Sequence, residues 1–314
     1  MKKTIYVALA LMLIGLIGAT AVSLSTDLFH PVRADAQKQT AALGGVNTIK
    51  IAAASADVTV EKTKSRKLTA EIQGWGNKRL TRDITVDIRK DGRRLYITAD
   101  QRSHFIQFSF GWVRLVIKVP DRHDQSIVVT TGSGDVTVHA LRAGNLSAIS
   151  RSGDITAENN QSSKRFTAKT SSGDIDVRRI HSEGAVSLTA DSGDTVVDDL
   201  TAKETEIDSA SGDVTVRDFN GRLTVQADSG DIGLEGDRLT GDIAAAASSG
   251  DVTIGFAHEP DSLALDFRGN SGEAAVEIGG LLYKEKSEQR IIGEKGGGRY
   301  RMDVRTRSGD FRLQ

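Results

Sequence analysis

Apolar and polar residues alternate along most of this chain, and after residue 120 the alternation falls into a repeat of about 20 residues. Columns of apolar or small residues, spaced by two, lie on both sides of a Ser-Gly-Asp tripeptide. A spacing of two places these residues on one face of a strand. Each repeat therefore predicts two short strands joined by a tight turn. The tripeptides begin at Ser133, Ser152, Ser172, Ser192, Ser211, Ser229, Ser249 and Ser308, with a Ser-Gly-Glu variant at Ser271.

One repeat cannot bury its own apolar face, so the copies are expected to stack. Side-chain size decreases toward the tripeptide, as from Leu223 through Val225 to Ala227, which predicts a wedge-shaped core. A further bulky residue eight positions after the Ser is expected to close the wide side of the wedge. Helical periodicity is absent after residue 25. The sequence thus predicts an all-β fold, a parallel β-solenoid with two-strand coils of about 19–20 residues.

Residues 46–120 alternate without the strict repeat and predict an N-terminal β region that caps the solenoid of residues 121–314. Asp91-Gly92, between two alternating runs, predicts a hairpin turn. Ser55-Ala56-Asp57 looks like a degenerate first copy of the repeat.

Near the C-terminus the repeat is interrupted and then returns. Residues 279–298 break the pattern and predict a longer coil or a protruding loop. Residues 299–314 form a last copy, and we expect its short, charged strand to end the rod and to oppose pairing with other chains.

The first 24 residues differ from the rest. Lys2 and Lys3 precede an apolar run from Ile5 to Val22, long enough to cross a bilayer as a transmembrane helix. Alternatively, Ala19-Thr20-Ala21 is a signal-peptidase site behind a short apolar region. Both interpretations place the later residues outside the membrane.

Two locations follow from this segment. Either residues 5–24 anchor a single-pass cell-membrane protein with its C-terminal domain outside, or the chain is secreted after cleavage near Ala21. Residues 25–45 are small and polar, and we expect them to form a flexible stalk.

Composition narrows the possible functions. A formal net charge of −1 argues against nucleic acid as a partner. The chain has no cysteine, so thiol catalysis, disulfides and Cys-ligated metal are excluded. HExxH, Gly-x-Ser-x-Gly, P-loop and GxGxxG motifs are absent. We therefore predict no catalytic residue, no cofactor, no metal-binding residue and no enzyme activity.

The repeated tripeptide has a structural and a functional interpretation. Gly permits a tight corner, Asp can bond nearby backbone N–H groups in an Asx-turn, and Ser can join a hydroxyl ladder. Alternatively, a column of carboxylates about 5 Å apart could bind Ca²⁺, or form a polar strip for glycans. The column would contain Asp135, Asp154, Asp174, Asp194, Asp213, Asp231 and Asp251.

Aromatic residues cluster before the repeats. Trp75 and Trp112, with Phe105, Phe108 and Phe110, are expected either to cap the open end of the solenoid core or to form a binding patch.

These features together resemble the bacterial "putative adhesin" family of unknown function, which includes LiaG-like cell-envelope proteins. The resemblance rests on the Ser-Gly-Asp-[Ile/Val]-x-Val repeats, the strand Val113 to Pro120 before them, the closing segment Thr306 to Leu313 and the N-terminal apolar segment. It covers residue 46 to the end. It implies an extracytoplasmic β-solenoid, often tied to cell-envelope stress, and transfers no catalytic residue.

The leading hypothesis is a non-enzymatic extracytoplasmic envelope protein, an interaction or adhesin-like scaffold whose partner is another envelope protein or a cell-wall polymer. The alternative is a carbohydrate-active β-helix enzyme that acts on wall or extracellular polysaccharide, with its charged residues in loop 279–298. A secreted adhesin is a third hypothesis.

Overall fold

The computed structural model describes residues 32–33, 38–76, 84–101 and 111–314. Every regular element in these ranges is a strand, which confirms the predicted all-β class. The predicted membrane segment, residues 1–24, lies outside the described residues. Within the ranges above there is no helix with the length and hydropathy needed to cross a bilayer.

The strands of the N-terminal region come first in the chain. They are β1 (Val32–Arg33), β2 (Lys38–Ala42), β3 (Thr48–Ala53), β4 (Asp57–Thr63), β5 (Lys67–Gly76), β6 (Ile84–Asp91), β7 (Arg94–Gln101) and β8 (Gly111–Pro120).

The repeats supply the remaining strands. Those of the regular coils are β9 (Ser126–Thr131), β10 (Val136–His139), β11 (Arg142–Ser150), β12 (Ile155–Glu158), β13 (Gln161–Thr170), β14 (Ile175–Ala190), β15 (Thr195–Ser211), β16 (Val214–Ser229), β17 (Ile232–Gly236), β18 (Ile243–Ser249) and β19 (Val252–Phe256). Those of the C-terminal end are β20 (Leu263–Ser271), β21 (Ala274–Val276), β22 (Leu282–Lys286), β23 (Arg290–Lys295), β24 (Tyr300–Ser308) and β25 (Phe311–Leu313).

Successive coils pair in parallel and in register. Leu188 lies opposite Ala168 in the preceding coil and Ile207 in the next. These inward residues are fully buried, as the predicted columns require. The prediction of stacked parallel coils is therefore confirmed.

Each regular coil has three sides rather than the predicted two. Strand β14 passes through Arg179, whose φ of 52° is left-handed, and the chain then turns Ile180 inward. Ile180 is buried and pairs with Leu200 of the next coil. The bulky residue eight positions after the Ser thus starts a short third side. The two-column pattern did not reveal that side because it contains only about three residues.

The order of coils in space differs from their order in the chain at the N-terminal end. Strand β3 pairs in parallel with both β7 and β9, and β4 pairs with both β8 and β10. The degenerate first copy is therefore an internal rung. Outside β7 and β8, the sheet continues with antiparallel β6 and β5. The Asp91-Gly92 hairpin turn between β6 and β7 is confirmed.

The segment predicted to be a stalk is partly structured. Strand β2 pairs antiparallel with β5, from Lys38 opposite Glu71 to Ala42 opposite Lys67. Leu43 is buried in the core. Thus the stalk prediction is wrong for residues 38–45, because their backbone bonds to the sheet and one large side chain packs inside.

The C-terminal copy is inserted between two earlier coils. Strand β24 pairs with β18 on one side and with β20 on the other, and β25 pairs likewise with β19 and β21. The prediction that the final copy ends the rod is wrong. Its strands are protected because both backbone edges are paired.

Residues 279–298 instead contribute the outermost hairpin at this end. Strand β23 pairs antiparallel with β20, and β22 pairs antiparallel with β23. The register of β22 shifts between Tyr283 and Glu285, and its five side chains are exposed. A bulge with charged residues is a common way to prevent an edge strand from recruiting another chain.

Two buried threonines of the core differ in hydrogen bonding. Thr170 Oγ1 donates to the carbonyl oxygen of Gly153 at 3.0 Å. Thr195 occupies a column otherwise filled mainly by Val and Ile, and among the described residues its hydroxyl has no partner. Both side chains are fully buried.

Thr195→Val should stabilise the fold by about 1 kcal/mol, because it removes an unpaired buried hydroxyl and keeps the shape of the side chain. Thr170→Val is the matched control and should destabilise by about the same amount, because it breaks an existing hydrogen bond. Chemical denaturation of both variants measures the difference. If both variants change the free energy of unfolding in the same direction, this account of the core is wrong.

Candidate functional site

The Ser-Gly-Asp corners lie directly above one another along one edge of the solenoid. Gly193 has a φ of 118°, and a Cβ added to it would lie 2.2 Å from the carbonyl oxygen of Gly173 in the preceding coil. Gly212 stands in the same relation to Gly193. Backbone thus packs on backbone at every corner, and no side chain fits between the coils there.

The aspartates of these corners form a continuous hydrogen-bonded ladder. In each coil the Asp Oδ1 accepts the backbone N–H of the equivalent residue in the next coil, as Asp194 does from Asp213 at 2.9 Å. Nine such bonds of 2.7–3.1 Å run along the edge. The rungs in spatial order are Asp57, Asp135, Asp154, Asp174, Asp194, Asp213, Asp231, Asp251, Asp310 and Glu273.

This ladder alters two details of the predicted corner. The carboxylate supports the neighbouring coil rather than its own turn. The hydroxyls that bond between coils belong to residues two positions before the tripeptide: Ser150 Oγ donates to the Gly134 carbonyl at 3.1 Å. The tripeptide Ser instead accepts through its backbone, as Ser211 does from Gly193 N–H at 3.0 Å.

The calcium interpretation of the column requires several oxygens at one point. One oxygen of each carboxylate already accepts a backbone N–H, and the rungs are about one strand spacing apart. In the part of the chain that the structure describes, no three His, Asp or Glu side chains converge closely enough to hold a metal ion.

A second column lies on the outer face that follows the corners, and in it Asp or Glu alternates with Lys, Arg or His from rung to rung. Lys118 contacts Glu61 at 3.1 Å, and Arg217 contacts Glu235 at 3.5 Å. Opposite charges on adjacent strands attract, whereas like charges would repel. In spatial order the column contains Lys118, Glu61, His139, Glu158, Arg178, Asp198, Arg217 and Glu235.

Several charges of the C-terminal hairpin are also paired. Arg290 binds the carboxylate of Asp266 and donates to the Phe267 carbonyl at 3.3 Å. Burial opposes ionisation of Asp266, but hydrogen bonds and charge from Arg268 and Arg290 outweigh it and hold its pKa below the usual value. Lys295 binds Glu259 at 3.0 Å. These contacts fasten the hairpin to the sheet.

The predicted aromatic cluster is only partly visible. Phe105, Phe108 and Phe110 lie outside the described residues. Trp112 is 45% exposed, so it does not cap the core, although Trp75 and Trp112 lie opposite each other in β5 and β8. Aliphatic residues fill that end of the core instead, among them Leu43, Leu68, Ile72 and Val86.

Shallow depressions occur on the surface of the described residues. One, of about 440 Å³, is lined by Asn47, Thr48, Asp91, Arg93 and Arg94. Another, of about 420 Å³, lies beside Phe256 and Gln314 near the C-terminal end. Neither contains residues of the carboxylate ladder.

The sequence matches the family described as Toastrack DUF4097 over residues 46–314. The chain belongs to this family. The matched Toastrack region begins just before β3 and ends at the last residue. It therefore includes the inserted C-terminal copy and strands β3–β8 of the N-terminal region. The family resemblance expected from the repeats is confirmed.

Solved structures similar to this Toastrack protein share little sequence with it. A "putative adhesin" from Bacteroides fragilis is 14% identical, covering 89% of this chain and 97% of its own, with a TM-score of 0.46. A "putative adhesin" from Parabacteroides distasonis is 12% identical, with coverages of 89% and 97% and a TM-score of 0.34. No curated protein matches the sequence.

Gly193→Ala should destabilise this Toastrack domain by about 2 kcal/mol or more, because the new methyl group meets backbone atoms and the φ angle is unfavourable. Gly233→Ala is the matched control. An added Cβ there meets no atom within 4 Å, so its effect should be small. Thermal and urea denaturation report both. If Gly193→Ala is as stable as the wild type, the close packing of the corners is refuted.

Replacing Asp194 distinguishes structural support from cation binding. Asp194→Ala should lower the melting temperature because the N–H of Asp213 loses its acceptor, whereas Asp194→Asn retains an acceptor oxygen and should come close to the wild type. Calcium should shift none of the three melting curves. Stabilisation of the wild type by calcium, lost in Asp194→Asn, would instead support a metal ladder.

Proposed function

We propose that this protein is a non-enzymatic extracytoplasmic scaffold of the cell envelope, whose outward strand faces bind another envelope protein or a cell-wall polymer. The observation that carries the proposal is the carboxylate ladder. It accounts for the recurring Ser-Gly-Asp of the repeat by a bond between coils, so the repeated polar residues build a rod rather than a reaction centre.

The outward columns support the proposal. Inward residues and corner residues are committed to stacking, whereas outward positions of the same strands can differ between coils. Thr189, Asp208 and Gln226 occupy equivalent positions in three adjacent coils. A regular surface with variable side chains suits recognition of an extended partner.

The C-terminal hairpin bears on the enzyme alternative. A polysaccharide-cleaving site in residues 279–298 would need acid and base side chains available to substrate. Arg290 and Lys295 are engaged with Asp266 and Glu259, and Lys284 contacts Glu294 at 3.3 Å. Pairing of this kind favours a structural role for the hairpin.

The location is part of the same proposal. Residues 5–24 would anchor the chain in the cell membrane with the solenoid outside, or cleavage near Ala21 would release it. A connection to cell-envelope stress, which the resemblance to LiaG-like proteins implies, also belongs to the proposal.

Site-specific photo-crosslinking in intact cells tests the scaffold. A photoreactive residue at Gln226 reports on one outward face, and one at Thr215 reports on the other. A scaffold should give a specific adduct from one face, repeated at the equivalent position of the adjacent coil, which is Asp208 for Gln226 and Val196 for Thr215. The absence of adducts from both faces would contradict it, as would polysaccharide cleavage that depends on Glu285 or Glu288.

Topology is tested with a single introduced cysteine. Because the natural chain has none, Asp228→Cys in the solenoid should be the only reactive thiol. A membrane-impermeant maleimide should label it in intact cells if the domain lies outside. Labelling only after lysis would refute the proposed location.

A further inference from the structure

Charge is distributed unevenly along this nearly neutral chain. The described residues up to 125 contain 14 Lys and Arg against 8 Asp and Glu, whereas residues 126–314 contain 21 against 31. Strands β1 to β8 lie at one end of the stack. The fold therefore converts a difference between two parts of the sequence into a rod with a basic end and an acidic body.

The turns of the N-terminal strands carry much of the basic charge. Lys64 and Arg66 lie in the turn between β4 and β5, and Arg93 and Arg94 lie where β6 turns into β7. All four are exposed. They have no acidic partner among the described residues, in contrast to Lys62, which binds Asp121. We call β1–β8 and these turns the basic end.

An exposed tryptophan lies at the same end. Trp112 is 45% exposed, and the guanidinium of Arg114 lies 5.7 Å from its ring centre. A large amphipathic ring beside a cation suits the interfacial region of a bilayer, where tryptophan is enriched. Elsewhere in the described chain, the exposed large apolar side chains are Leu282 and Tyr283 of the edge hairpin.

The path of the chain brings this end close to the proposed membrane anchor. Val32 pairs with Gly76, and Arg33 pairs with Trp75, which itself lies opposite Trp112. The predicted membrane segment ends at residue 24, eight residues before Val32. Eight residues span at most about 30 Å even when fully extended, so the strands that carry Trp112 cannot be far from the bilayer.

We propose that the basic end binds the surface of an anionic phospholipid membrane, so that the rod stands on the bilayer that anchors it. This inference rests on the membrane-anchored form of the location proposed above. Lipid phosphates would attract the unpaired cations of the turns, and Trp112 would enter the interface. The acidic body, repelled by the same surface, would point away and expose its outward columns to partners.

The experiment uses the full chain reconstituted into vesicles. Trp75 and Trp112 are the two tryptophans of the chain, and both lie in the β5–β8 ribbon, so tryptophan fluorescence reports on the basic end. Quenching by nitroxide-headgroup lipid is compared in phosphatidylcholine vesicles and in vesicles that also contain phosphatidylglycerol. We expect quenching to be stronger with the anionic lipid, by about twofold or more, and to weaken with salt.

A charge-neutralised variant tests whether the turns are responsible. It should lose the additional quenching with phosphatidylglycerol, because the attraction to lipid phosphate is removed while the anchor remains. The variant combines Lys64→Gln, Arg66→Gln, Arg93→Gln and Arg94→Gln.

A matched control removes the same charge from the acidic body. It should quench like the wild type, because its altered residues lie away from the basic end. The control combines Lys164→Gln, Arg165→Gln, Arg305→Gln and Arg307→Gln, which are exposed and have no acidic partner in the described ranges.

Flotation of the vesicles separates the two proposals. If the chain fails to float with either lipid, the anchor is refuted: the basic-end proposal is overturned, and the scaffold proposal keeps only the secreted form cleaved near Ala21. If it floats but quenches equally with both lipids, or if both variants behave alike, only the basic-end proposal is overturned. Soluble poly(glycerol phosphate) serves as a competitor. If it abolishes the additional quenching by anionic vesicles, the basic-end proposal is also overturned, in favour of a polymer ligand.

Discussion

Close contact between the backbones of successive coils at the Ser-Gly-Asp corner is the constraint on which this structure depends. The coils approach so closely that a Cβ at Gly193 would overlap the carbonyl oxygen of Gly173. This proximity lets the carboxylate of one coil accept the N–H of the next, as Asp194 does. It also forces small residues into the narrow side of the core. The recurring glycine, the recurring aspartate and the decrease in side-chain size toward the corner therefore all follow from the short distance between coils.

The same constraint divides the positions of each coil into two groups. Inward and corner positions must satisfy the stack, whereas outward positions face solvent and can differ between rungs. The alternation of acidic with basic or histidine side chains from Glu61 to Glu235 shows how an outward column still adapts to its neighbours, because in-register side chains lie only about 5 Å apart. A rod of this kind can change its recognition surface without changing its architecture, which is the basis for proposing a scaffold.

The ends of the rod face a problem that its middle does not. An end coil has an unpaired backbone edge and an open core, so it needs protection against aggregation. Here both terminal copies are internal rungs, and antiparallel strands form the ends. The basic strands and turns lie at the end nearest the predicted anchor, and the bulged hairpin around Lys284 lies at the other. This polarity gives the rod a direction, which the membrane proposal uses.

The sequence by itself determined the repeat, the parallel stacking, the inward columns and the family, because each depends on local spacing that recurs in every copy. It also located the degenerate copy at Asp57 and the interruption at residues 279–298. Only the tertiary structure decided the insertion of the last copy, the pairing of Lys38–Ala42 with β5 and the partner of each Asp. Those features depend on which distant strands meet, and residues far apart in the chain leave no periodic signal. Trp112 illustrates the difference: alternation placed it on a strand, but only the fold showed that its ring faces solvent.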